Sequence, residues 1–191
     1  MELIGLFLVA SALLVVAGIA KAVRPGDTAG ALAALASQPL GSRWRTVVRI
    51  GAIVEAGVGV AALAVPRPIT AALVGTSYAV FIGAIVLARR RGSPLATCGC
   101  FGRPDTPPTL VHLVLNVLFL AAAVAVALTA PAGATLGSAL AAEPGAGIPL
   151  VFVSAVGVWL SVLAMSALGR LQGVRPCHLQ GRDEAGDPGR R

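Results

Sequence analysis

Two of the chain's three cysteines stand one residue apart in the run Cys98-Gly99-Cys100-Phe101-Gly102. A pair so placed can hold or pass two electrons. Bridging Cys98 to Cys100 closes a very small ring, whose backbone must turn sharply at the middle residue, and Gly99 carries no Cβ penalty there. A disulfide in so tight a ring stores strain, and strained disulfides exchange more readily than structural ones. The spacing therefore favours a working couple over a staple. The third cysteine, in Cys177-His178, sits in a polar tail, where an inert or lipid-modified thiol is expected.

Four other residues have types that suit chemistry. Glu55 interrupts an apolar segment about six residues from its start, so an ionised carboxylate there needs a partner or a proton. Lys21 ends the first apolar segment at the same side of the membrane. Two roles stand open for Glu55: an ion pair with Lys21 that fixes helix packing, or proton handling. His112 and Asn116 are four residues apart near the start of another apolar segment, so they share one helix face. His112 lies close in sequence to the cysteine pair, where an imidazole can lower a thiol pKa or carry its proton. The blander reading puts His112 in the headgroup layer and gives Asn116 one interhelical hydrogen bond. Small residues at helical spacing, Ala52 with Ala56 and Gly57 with Ala61, are read as packing sites rather than chemistry.

The segments that must position these residues are membrane helices. Of 191 residues 57% are hydrophobic and only 12% charged, which excludes an ordinary soluble domain. Five apolar stretches are long enough to cross a bilayer: Leu3 to Ala22, Arg49 to Val65, Ile69 to Ala88, Leu110 to Ala130 and Ile148 to Leu168. Strand-like alternation is absent, so the expected fold is an all-α polytopic bundle of about five spans. The first stretch has its positive charges, Lys21 and Arg24, after the apolar run rather than before it, which points to a retained helix over a cleaved leader. Between the first two spans, Thr28 to Gly41 reads as a short interfacial helix capped by Asp27 or Thr28.

Charge sorts the loops. Fourteen of the 15 basic residues fall after the first, third or fifth span, against Arg67 alone on the other side. The positive-inside rule then places the N-terminus outside and the cysteine loop and C-terminus in the cytosol; the preference for Arg over Lys suggests a bacterial genome, hence an expected bacterial inner membrane. The net charge of +7 is therefore membrane topology; no basic stripe interleaved with aromatics suggests nucleic acid. Residues 1–130 read as a four-helix domain, 131–147 as a flexible outer loop, 148–168 as an additional span and 169–191 as a disordered basic tail. No nucleotide fingerprint, haem-attachment motif or metal-ligand quartet appears, so no cofactor is expected and a bound quinone is not indicated. Two rival readings of the cysteines remain: a Cu(I) site using Cys98, Cys100 and Cys177 or His178, and a structural or assembly subunit with inert thiols.

From Leu3 to Leu128 the chain resembles the MauE family of methylamine-utilisation membrane proteins, which is related in pattern to the DoxX-like proteins. The likeness rests on Gly18-Ile19-Ala20-Lys21 closing the first helix, the Ala- and Leu-rich segment after Asp27, Glu55-Ala56-Gly57-Val58-Gly59, and Cys98-Gly99-Cys100-Phe101-Gly102 before an Asn-containing helix. The resemblance implies a four-helix membrane core and a redox accessory role, in which a thioredoxin-like partner exchanges disulfides during maturation of exported proteins. On that expectation Cys98, Cys100, Glu55 and His112 carry the chemistry, and Lys21, Gly99, Phe101, Gly102 and Asn116 support it. Exported disulfides lie outside, whereas charge bias puts the cysteine loop inside. Either electrons enter from a cytosolic reductant, or the loop dips into the membrane, or the orientation is inverted.

Overall fold

The computed structural model describes residues 2–37, 39, 41–90, 110–129, 137 and 144–173. Among them the secondary structure is helical, with no strand. The helices are α1 (Glu2–Val23), α2 (Gly26–Leu35), α3 (Ser42–Ala64), α4 (Pro68–Arg90), α5 (Leu110–Thr129) and α6 (Pro144–Gly173). Helices α1, α3, α4 and α5 each carry a run apolar and long enough to span a bilayer, and α6 carries a shorter described one, Val151–Ala164. The protein is thus a polytopic helical membrane bundle, as its composition requires.

Several boundaries differ from expectation. Helix α3 begins at Ser42 rather than Arg49, because nothing breaks the chain between Gly41 and the apolar run, and the extra turns carry Arg43, Trp44 and Arg45. Helix α2 begins at Gly26 with Pro25 at its N-cap and no side-chain cap bond, so neither Asp27 nor Thr28 is the cap; Asp27 lies in the first turn instead. It ends at Leu35, where Ser37 adopts a left-handed φ of 53°. Helix α6 starts at Pro144, four residues before the expected span, and runs on to Gly173.

Each of the four core helices buries residues at alternating spacings of three and four, the spacing of a helix-packing seam. On α1 the buried stripe is Phe7, Ala10, Leu14, Ala17 and Lys21. On α3 it is Val48, Ala52, Glu55, Gly59 and Ala62. Ala71, Val74, Tyr78 and Ile85 supply it on α4, and His112, Asn116, Phe119, Ala123 and Val126 on α5. Large apolar residues off the stripes, such as Ile53, Val60, Ile69 and Leu128, are exposed, which in this setting means facing lipid. Helix α1 is the hub: it packs along α3 and also meets α5 and α6, while α4 packs mainly on α5.

Helix association in lipid gains little from hydrophobic burial, so close backbone approach matters. Two glycines provide it between α1 and α3. A Cβ on Gly18 would lie 2.7 Å from Ala52 O and 2.8 Å from Ala56 N. A Cβ on Gly59 would lie 2.7 Å from Ser11 O and 3.0 Å from Val15 N. Ala52 and Ala56 are packing residues, as expected; Gly57 and Ala61, expected to pack likewise, are exposed, and it is Gly59 that meets α1. Val15 and the Ser11 backbone cannot retreat without moving α1. Gly18→Val and Gly59→Val should therefore each destabilise the protein by about 1–3 kcal/mol or more, whereas Gly57→Val, with nothing within 4 Å, should stay within about 0.5 kcal/mol apart from helix propensity. Thermal unfolding of the three variants in one detergent checks this, and equal midpoints for all three would remove the tight α1–α3 seam.

Candidate functional site

One turn beyond Gly18, on the same face of α1, stands Lys21. Opposite it on α3 the stripe places Glu55 between Ala52 and Gly59. The backbone proximity that the glycines permit lets the two side chains meet: Lys21 Nζ donates to Glu55 Oε2 at 2.5 Å, and both residues are at least nine-tenths buried. The structure contains the ion pair that the sequence offered as one of two roles for Glu55. The second carboxylate oxygen, Glu55 Oε1, is buried and has no hydrogen-bond partner among the described residues.

The third wall comes from α4. Lys21 Nζ lies 4.4 Å from the centroid of the Phe81 ring, so the ammonium is held by a carboxylate on one side and a π face on the other. Phe81 meets Tyr78 edge-on at 5.9 Å, and Tyr78 meets Phe119 of α5 at 5.3 Å. The Tyr78 hydroxyl donates to Ala10 O at 2.7 Å, which ties α4 to the middle of α1. An aromatic chain thus runs from the ion pair across α4 to α5. Sequence reasoning missed both Phe81 and Tyr78. The available signal was rarity: aromatics are 4% of the chain and Tyr78 is its single tyrosine, so a phenol in mid-span had to find an acceptor.

His112 and Asn116 occupy the first turns of the α5 stripe and are 3% and 5% exposed. His112 is therefore packed inside the bundle. Asn116 Nδ2 donates to the main-chain oxygen of His112 at 2.6 Å, within its own helix rather than across to another. That bond holds the amide against the turn on which His112 sits. Arg49 Nε reaches Ala22 O at 3.3 Å and covers a carbonyl at the end of α1. Alternating helix directions bring the end of α1, the first half of α3, the second half of α4 and the start of α5 to one end of the bundle. Lys21, Glu55, Phe81, His112 and Asn116 all belong to that end. Cys98, Gly99, Cys100, Phe101 and Gly102, which join α4 to α5, lie outside the described residues, as do Cys177 and His178.

The family described as methylamine utilisation protein MauE matches residues 1–130. The chain belongs to the MauE family. The matched region takes in α1 to α5 and the cysteine run, and leaves α6 outside it. No curated protein and no solved structure matches the chain. Within this MauE-family member, no group of three or more His, Cys, Asp or Glu side chains is gathered for a metal among the described residues.

The Lys21–Glu55 contact predicts a coupling. Glu55→Gln leaves an ammonium buried without its counter-charge and should cost about 3 kcal/mol or more. Lys21→Met in the same chain should recover part of that loss. A double-mutant cycle read by unfolding should return a coupling energy of about 1–3 kcal/mol, and a value near zero would rule out the pair.

Proposed function

We propose that this MauE-family protein is a membrane thiol-disulfide redox accessory whose Cys98 and Cys100 cycle between dithiol and disulfide with a thioredoxin-like partner. In the direction that reduces the partner, one thiol loses its proton and its thiolate attacks the partner disulfide. A mixed disulfide forms and the partner's displaced sulfur takes up a proton. The second cysteine then attacks the mixed disulfide, closing Cys98–Cys100 and releasing the partner as a dithiol, so two electrons and two protons have passed. The reverse sequence returns them.

The observation that carries this reading is that the family match extends over Cys98-Gly99-Cys100, joined to α4 and α5 at the end of the bundle where the buried polar residues gather. His112, in the first turn of α5, is the imidazole closest along the chain. Glu55 works through its pair with Lys21, which ties α1 to α3 and sets the ammonium against Phe81 of α4, the helix that leads into the cysteine loop. Asn116 steadies the His112 turn. The family's description supports methylamine metabolism as the setting, and the cysteine pair adds disulfide maturation to it. The loop charges support an orientation with the cysteine loop on the cytosolic side of a bacterial inner membrane, so that electrons come from a cytosolic reductant.

Removing the resolving thiol leaves the mixed disulfide without an intramolecular exit. Of Cys98→Ser and Cys100→Ser, one should therefore trap a dithiothreitol-sensitive adduct with a thioredoxin-fold protein, and the other should trap far less. Should neither variant give a reducible adduct while both keep full function, thiol exchange is not what the protein does.

A further inference from the structure

The turn Val65–Arg67 joins α3 to α4, yet the two helices part quickly, because α3 follows α1 while α4 follows α5. Between them, at the inner end, is a cavity of about 360 Å³, within the range of about 300–1,000 Å³ usual for small-molecule sites. Lys21 and Glu55 line it together with Phe81, and its side walls include Gly51 and Val54 of α3 and Val80 of α4. Val54 and Val80 are 60% and 63% exposed, so the cavity opens sideways off the bundle. Val54 lies about 8 Å along α3 from Arg49, inside the apolar span. The mouth therefore faces hydrocarbon, and a ligand enters from the bilayer.

The polar end sets the ligand's head. Lys21 and Glu55 already neutralise each other, so a charged head would add an uncompensated charge at hydrocarbon depth. Glu55 Oε1 lacks a hydrogen-bond partner among the described residues, and the terminal torsion of a glutamate is soft enough to turn that oxygen toward a donor. The ammonium carries three protons, which suit a carbonyl. Phe81 offers a ring a surface to pack on. A head that is neutral and ring-shaped, accepts as a carbonyl or donates as a hydroxyl, and carries an apolar tail meets every one of these demands.

We infer that this cavity binds a membrane quinone or its quinol, with the ring between α3 and α4 at the Lys21–Glu55 pair and the tail leaving toward lipid. The site stands on the described helices alone and does not depend on the thiol chemistry of Cys98 and Cys100.

The test uses the full chain in lipid nanodiscs and a short-tailed azidoquinone, with photolabelling read by mass spectrometry. Labelling should saturate, map to α3 and α4, and be displaced by unlabelled short-tailed quinone. Gly51→Leu fills the cavity from a position with open space around it, and Val80→Trp fills it from the opposite wall. Each should weaken binding by about tenfold or more with an unchanged unfolding midpoint. Gly83→Leu, also in open space but off the cavity, should bind as the parent does. Labelling that excess quinone does not displace, that both filled variants retain, or that phosphatidylglycerol displaces equally well would overturn the assignment; the last outcome would make an acyl chain the occupant. Because the readout is binding, a failure here leaves the cysteine-trapping result untouched, and the reverse holds too.

Discussion

A lysine and a glutamate facing each other inside an apolar bundle constrain almost everything around them. An unpaired ionic side chain at the centre of a membrane helix costs about 3 kcal/mol on insertion scales, so Glu55, well inside α3, needs the partner that Lys21 provides. Their meeting requires α1 and α3 to lie nearly backbone to backbone, which Gly18 and Gly59 permit by presenting no Cβ where Ala52, Ala56, Ser11 and Val15 come closest. Once that seam is set, α4 is tied to α1 by the Tyr78 hydroxyl and to α5 by ring packing, and Phe81 is brought over the ammonium. Helix α6 leans on the outside of α1, where a Cβ on Gly157 would lie 2.8 Å from Val9 Cγ2.

The same constraint shapes the functional end. Every core stripe is apolar along most of its length, and the polar substitutions on α1, α3 and α5 cluster where the cysteine-bearing connection begins and ends. A stripe of purely apolar residues would pack as well, and replacing a buried pair by apolar side chains is often neutral or stabilising. Stability alone therefore does not explain Lys21, Glu55, His112 and Asn116. Their grouping at one end is better accounted for by chemistry or ligand binding at that end, which is where the cysteine pair and the α3–α4 cavity both belong.

Much of this was legible in the residues. Hydropathy located the spans, because the requirement to bury some twenty apolar residues per crossing leaves a strong signal. The three-four stripes were legible too, and reading Val48, Ala52, Glu55, Gly59 and Ala62 as one face would have singled out Gly59 over Gly57 as the packing glycine. Loop charge put Lys21 and Glu55 at the same end of the bundle and so offered their pairing as one of two roles for Glu55. What the sequence could not supply was lateral order. Which helix neighbours which is set by side-chain fit rather than by periodicity, so the Phe81 contact, the Tyr78 bond to Ala10 and the cleft left where α3 and α4 diverge emerge only in three dimensions. The start of α3 was misjudged because Arg43 and Arg45 read as loop when they belong to the first turns of the helix.

Lys21 is the only lysine in the chain, which makes its burial directly measurable. In nanodiscs, treatment with a membrane-permeant amine-acylating reagent followed by mass spectrometry should leave Lys21 unmodified, while the same chain unfolded in sodium dodecyl sulfate is acylated there. Acylation of Lys21 in the bilayer at the rate seen in the unfolded chain would mean that its ammonium is not enclosed by Glu55 and Phe81, and would contradict the ion pair on which this account rests.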